Sequence, residues 1–406
     1  MNIRDITKNS RLRLVCTIFI AILCNLASAQ ISTQSMQGQW DFQKVEQAVP
    51  APPLMSEMSG IDWILDGKDG LHPAPLYVTQ NAKIKDIVQR VASSRSGVAI
   101  NFTSVTPKKL LSTLLALANN PTARENVLAL NLAPKLLKNI TVLNPVDVWK
   151  FKYLRVVRFG LAGQAWAPVT KKQKDIINQQ DIKNWLHVFP KMVKGIIIDL
   201  PAEQFVFTDR ALKTYLAAVI ARQMEAITLS VNSDKQVAIF SQAWPYFYKN
   251  VALFGLFVTA KVTLNGVRML NKLPLKPGGK SANAMVLLNA THYAIHLTQR
   301  IIQSNANSLL ALSLMGPIYS ENLANVVSQA NNLRYLRLDY QAYQETPYLY
   351  TKLLGNNNLR FLLGNVPVNM IAANKNIIEK RKTPLILGGP APAMPIKQLR
   401  PLGEQR

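Results

Sequence analysis

A short apolar pattern recurs along this chain. The segments LRYLRL (Leu333 to Leu338), LLALSL (Leu309 to Leu314), LRVVRF (Leu154 to Phe159) and VLALNL (Val127 to Leu132) all read apolar-x-x-apolar-x-apolar. Looser copies start at Val193, Met224, Val251, Ala284 and Leu359. Such alternation is a strand signal, because strand side chains point alternately to opposite faces. The nine starts are separated by 24 to 39 residues, which leaves room for one helix and its loops between strands. A strand–helix unit of that size cannot bury its own apolar face, so the units must stack on one another.

The intervening segments carry helical periodicity. In Ser320 to Ala330, Leu323, Val326, Val327 and Ala330 fall at i, i+3, i+4 and i+7, with Ser320 as the cap. In Asp209 to Gln223 the same period runs through Leu212, Leu216, Val219 and Ile220. Thr106-Pro107 and Thr346-Pro347 each set a capping hydroxyl before a proline at the first helical position. Leu110, Leu111, Leu114, Leu115 and Ala118 are expected on one buried stripe of the helix that follows Thr106. Upstream, residues 76–118 read strand, helix, strand, helix, a rhythm that continues the later one. Residues 76–119 are therefore expected to form an α/β N-terminal cap over the open end of the array, or else a small separate module.

With strands and helices in this alternation, residues 120–383 resemble the leucine-rich-repeat family, in an irregular bacterial form. "LRYLRLDY" and "LRVVRFG" are the strongest motifs. The resemblance implies an α/β solenoid, with short parallel strands on one face and helices on the other. The family's asparagine that turns the chain after the strand is absent from most copies, Asn365 excepted, which implies irregular curvature. A non-repetitive α/β domain is the structural alternative.

The ends read differently. Arg4, Lys8, Arg11 and Arg13 precede an apolar run from Leu14 to Leu26, and Ala27-Ser28-Ala29 follows. That order is the pattern of a secretory signal peptide spanning residues 1–29. Both cysteines, Cys16 and Cys24, fall inside it, so the remainder has no disulfide available and must rely on burial. Together these features point to a bacterial periplasmic or secreted protein. Residues 30–75 read as an irregular linker, and residues 384–406, with five prolines, as a disordered tail.

Charge and pattern together suggest a binding surface. The chain holds 47 Lys and Arg against 22 Asp and Glu, a formal net charge of +25. One focus is Trp149 to Phe159, where Lys150, Lys152, Arg155 and Arg158 are interleaved with Trp149, Phe151 and Tyr153. If the motif leucines face inward, the residues between them face a concave surface. That outward set includes Asn131, Arg158, Asp199, Ser230, Phe257, Asn289, Ser313, Tyr335, Arg337 and Asp339. Tyr335, Arg337, Asp339 and Tyr340 form the expected contact patch, because Tyr and Arg often anchor interfaces. The expected partner is a protein. An anionic envelope component (lipopolysaccharide, peptidoglycan or lipid head groups) is the alternative. No nucleic-acid signature is present, so nucleic acid is not expected.

Enzyme motifs do not carry through. His292 and His296 stand four apart, but Tyr293, Ala294 and Ile295 replace the glutamate pattern of zinc proteases. "PLKPGGKS" has Pro274 where a phosphate loop needs its first glycine. His187, among Trp185, Leu186, Val188 and Phe189, is expected at the edge of the core. No cofactor or metal is expected. The sequence therefore predicts a non-enzymatic exported binding protein. The alternatives are a periplasmic structural subunit of an envelope or secretion assembly, and a cell-wall or glycan hydrolase.

Overall fold

The computed structural model describes residues 76–94, 97–160, 175–199, 205–259, 261–275, 285–289, 295–309, 311–315, 321–338, 347–364, 368–383 and 385–388. The expected signal peptide and the linker to residue 75 lie outside the described residues.

Among the described residues the chain is a mixed α/β protein built on one parallel sheet of twelve strands. The sheet opens with β1 (Leu76–Tyr77), β2 (Val98–Asn101), β3 (Val127–Leu132) and β4 (Val156–Gly160). Strands β5 (Asp175–Ile177) and β7 (Phe205–Phe207) stand apart as a separate parallel pair. The main sheet continues through β6 (Gly195–Asp199), β8 (Ala226–Val231), β9 (Leu253–Val258), β10 (Met285–Asn289) and β11 (Ala311–Met315). It ends with β12 (Tyr335–Leu338), β13 (Phe361–Gly364) and β14 (Ile386–Gly388). With β5 and β7 set aside, strand order in the sheet is strand order in the sequence.

All nine motif stretches are adjacent strands of this sheet, each starting zero to two residues after its motif. The upstream segment joins them directly, since β2 pairs with β3 in parallel. The expected tail boundary moves: Ile386–Gly388, placed in the disordered tail, pairs with β13 as a last strand. Ile386 and Leu387 supply the apolar residues that a sheet strand needs, and the remainder of that tail lies outside the described residues.

Register explains why the pattern folds this way. Ile100, Leu130, Val157, Ile196, Ile227 and Phe254 are successive in-register partners across β2, β3, β4, β6, β8 and β9. The row continues through Val286 to Leu312, Leu336 and Leu362. Ile100, Leu130, Leu312, Leu336 and Leu362 are each 0% exposed. Each such burial contributes about 1.5–3 kcal/mol relative to exposure, so the row is a continuous source of cohesion between neighbouring units. The helices following β4, β6 and β8 fill the layer against it with aromatic rings. Trp185 packs on Phe159 and edge-on to Tyr215, and Phe240 stacks on Phe254.

The helices begin and end by similar devices. Thr106, Asn178, Thr208 and Ser233 each accept a hydrogen bond from a backbone N–H in the first turn of the helix that they cap. At the other end, a side chain from a later unit reaches the terminal carbonyls of an earlier helix. Asn126 Nδ2 donates to Val91 O in the last turn of helix Ile84–Ala92 and to Ser94 O just beyond it. The Arg222 guanidinium donates to Leu186 O, Phe189 O and Pro190 O, at the end of helix Gln179–Val188. Arg300 serves Asn271 O and Leu273 O after helix Leu264–Asn271, and Arg381 serves Leu354 O in helix Pro347–Gly355. Cations at helix C-termini also favour the macrodipole. Part of the basic excess is therefore committed to holding units together.

Two of the three longest gaps in the motif spacing have an explanation. The two links that flank β6 contain β5 and β7, which pair with each other beside the main sheet. The turn from helix to strand in the later units is stitched by asparagine: Asn358 Nδ2 donates to Asn331 O, and Asn332 Nδ2 to Asn307 O. These positions sit at the turn before the strand, not after it as the family resemblance implied.

Candidate interaction surface

The segment Trp149 to Phe159 is divided by the fold into exposed and buried halves. Asn144 caps, and Pro145 opens, the short helix Pro145–Trp149. The chain then turns into β4. Phe151 and Leu154 point into the core, both 0% exposed, whereas Trp149, Lys152 and Tyr153 face solvent. Lys150 Nζ lies 3.0 Å from Asn119 Oδ1 and 3.3 Å from Asp147 Oδ1, so it ties this helix to helix Pro107–Asn119.

Two cations expected in a binding role are structural in position. Arg155 Nη2 lies 2.7 and 2.6 Å from the two Glu225 carboxylate oxygens. Both residues sit just before a strand, with the equivalent residue Lys194 between them. Arg155 O accepts from Lys194 N, and Lys194 O accepts from Glu225 N. Burial lowers the Lys194 pKa, and the neighbouring Glu225 only partly offsets it. Arg158 is 7% exposed, flanked in register by Asn131 and Ile197.

The expectation of an open strand face is corrected wherever that face is described. Asn131, Arg158, Ser230 and Phe257 were all placed outward, and all are buried. For Ser230 and Phe257 the reason is β7, which folds against them. Ser230 Oγ donates to Phe205 O at 3.2 Å, and the Phe205 ring meets Phe257 edge-on at 6.1 Å. Tyr335 and Arg337 lie in β12, opposite Phe361 and Leu363 in register, which fixes their backbone position. Asp339 and Tyr340 lie outside the described residues.

A solvent-facing apolar surface instead appears on the helix side. Leu115 is 47% exposed, Val146 61%, Trp149 50% and Tyr153 43%, and Leu111 and Met192 are exposed as well. These residues belong to adjoining elements. Helix Pro107–Asn119 is tied to helix Pro145–Trp149 through Lys150 and Asn119. The Trp149 indole N–H donates to His187 O at 3.2 Å, and its ring meets the His187 imidazole edge-on at 5.9 Å. His187 is thus exposed beside Trp149 and not at the core edge as expected. Lys108, Lys152, Lys183 and Lys191 are exposed on these same elements and the turns beside them.

Leu111 and Leu115 were expected on the buried stripe, but the buried residues are Leu110, Thr113, Leu114, Leu117 and Ala118. Each helical step turns the chain by about 100°, so Leu111 and Leu115 stand a third of a turn away from Leu110 and Leu114. The signal was present as doubled leucines at 110–111 and 114–115. A helix apolar on more than one stripe has a second face to cover.

A second feature is an open cleft of about 640 Å³ at three helix N-termini, lined by Asn178, Gln179, Thr208, Asp209, Arg210 and Lys235, with Gln180 and Lys183. Several of its polar groups are already engaged. Asp181 Oδ2 accepts from Asn178 N at 2.8 Å, completing a capping box. Burial pushes the Asp209 carboxyl up, but hydrogen bonds from Lys235 and Gln236 outweigh it, and the pKa ends below its ordinary value. A carboxylate held ionised in this way is poorly suited to act as a general acid.

Among the described residues no group of three or more His, Cys, Asp or Glu is placed to hold a metal. His296 is exposed on helix Ile295–Ser304, and His292 lies outside the described residues. No helix among the described residues is long and apolar enough to cross a membrane. No protein-family model matches this chain, and no curated protein matches its sequence.

Proposed function

We propose that this chain is an exported, non-enzymatic bacterial binding protein. Its body is a leucine-rich-repeat-like solenoid, and it engages a protein partner or an anionic envelope component through its surface. The solenoid reading is supported by sequential strand order and the in-register row from Ile100 to Leu362, whose ends at Ile100, Leu130, Leu312, Leu336 and Leu362 are fully buried. The binding reading rests on one observation: the exposed apolar cluster around Trp149, with lysines on the same elements. Contiguous exposed apolar surface in a folded chain marks an interaction site. Lysines beside it steer anionic partners and make the contact salt-sensitive.

The test is retention of the full chain on heparin-coated and lipopolysaccharide-coated beads. The expected result is retention at low salt, elution as salt rises, and loss in a Lys108→Glu/Lys152→Glu/Lys191→Glu variant that keeps its circular dichroism. Absent retention, or retention indifferent to both salt and these substitutions, would overturn the reading.

A further inference from the structure

We infer that the Trp149-centred surface docks on the headgroup–acyl boundary of an anionic lipid bilayer. This rests on the binding reading above and names the occupant of that same surface. Three observations carry it.

The first is exposure. Val146, Trp149, Tyr153 and Leu115 lie on helices and turns with roughly half their area free (exposures 61, 50, 43 and 47%). A bilayer interface takes projecting apolar and aromatic side chains a few ångströms deep. The second is side-chain chemistry. Trp and Tyr are amphipathic rings suited to the headgroup level. The Trp149 N–H is already satisfied by His187 O, so the free part of the ring is its hydrocarbon. The third is charge. Lys108, Lys152, Lys183 and Lys191 are exposed on these elements or the turns beside them, where their stems can lie along the apolar surface and their ammonium groups reach phosphate. The acid on the same helix as Trp149, Asp147, is engaged by Lys150 at 3.3 Å and by Asn144 Nδ2 at 3.1 Å.

The experiment is co-sedimentation of the full chain with vesicles of phosphatidylcholine alone and of phosphatidylcholine mixed with phosphatidylglycerol. Expected is binding to the mixed vesicles at low salt, weaker by about tenfold or more on phosphatidylcholine alone, since each lysine near an anionic surface accounts for several-fold. Leu115→Ser/Trp149→Ser should lose binding while circular dichroism and the thermal midpoint stay unchanged. Leu264→Ser, at a still more exposed apolar residue on another helix, should bind as the parent does. Equal binding to both vesicles, or binding unaffected by Leu115→Ser/Trp149→Ser, overturns the lipid assignment. So does no vesicle binding with heparin retention intact, or saturable capture of poly-glutamate by the same surface, though in these two cases the broader binding reading survives. Loss of both vesicle and heparin binding overturns the two together.

Discussion

Replacing Arg222 tests whether side chains reaching between units hold this architecture together. Its Nη2 donates to Leu186 O at 2.8 Å, and its Nη1 is shared between Pro190 O at 3.2 Å and Phe189 O at 3.3 Å. Burial pushes the guanidinium pKa down to about 10, so it stays charged at neutral pH. The shared pair at longer distance counts as roughly one bond, giving two charge-assisted bonds in all. Each contributes about 1.5–3 kcal/mol net, and partial solvent access lowers the sum to about 3 kcal/mol for Arg222→Ala. Arg222→Lys keeps the charge near the helix C-terminus but loses the fork, so about half the effect is expected. Unfolding of a twelve-stranded sheet with mostly sequential pairing need not be two-state. The suitable assay is therefore amide hydrogen exchange over helix Gln179–Val188 and the turn after it. A loss of about 3 kcal/mol corresponds to protection falling on the order of a hundredfold. A fall under about threefold, or equal effects of alanine and lysine, would refute the reasoning.

Other outcomes follow from the same packing. A double-mutant cycle on Arg155→Ala and Glu225→Ala should return a coupling of about 1–3 kcal/mol, as these partly buried side chains make a two-pronged contact; a coupling near zero would reduce the pair to surface decoration. Gly195→Ala should destabilise by about 1–3 kcal/mol, because its new Cβ would meet Ala226 Cβ at 2.9 Å and Val156 Cγ2 at 3.2 Å; urea midpoints check this, and an unchanged midpoint counts against the register. Lys194 has its pKa lowered by burial, with Glu225 in partial opposition, so the folded state binds its proton less tightly than the unfolded chain. Stability should therefore rise as pH climbs from that lowered value toward the ordinary 10.5. Lys194→Met should flatten that limb in urea titrations; a slope identical to the parent's would remove Lys194 as its source.

How far the site was legible depends on the element. The strands were readable because alternation over five or six residues leaves a strong signature, as in Leu333 to Leu338, and because equivalent copies reinforce one another. The helix after Thr106 was readable in position, since a threonine before a proline is a local instruction. Which side of it faces water was not. Assigning Leu111 and Leu115 to the same stripe as Leu110 and Leu114 merged two rows that helical geometry separates. The cation run from Lys150 to Arg158 was visible as a cluster, yet sequence proximity says nothing about who else is near. Glu225, seventy positions from Arg155, turns that arginine into a strut.

The amino-acid order by itself determined the secondary structure of the repeating units, their order along the sheet, and the row of apolar residues that binds each to the next. These follow from side-chain alternation, helical period and capping, all of which act over a few residues. Tertiary structure alone decided which polar and aromatic side chains remain available. Burial depends on what a distant segment brings alongside: β7 against Ser230 and Phe257, Glu225 against Arg155, and nothing described over Trp149. Exposure is a property of the whole packed chain, and for that reason the candidate surface lies on the helices and not on the strands.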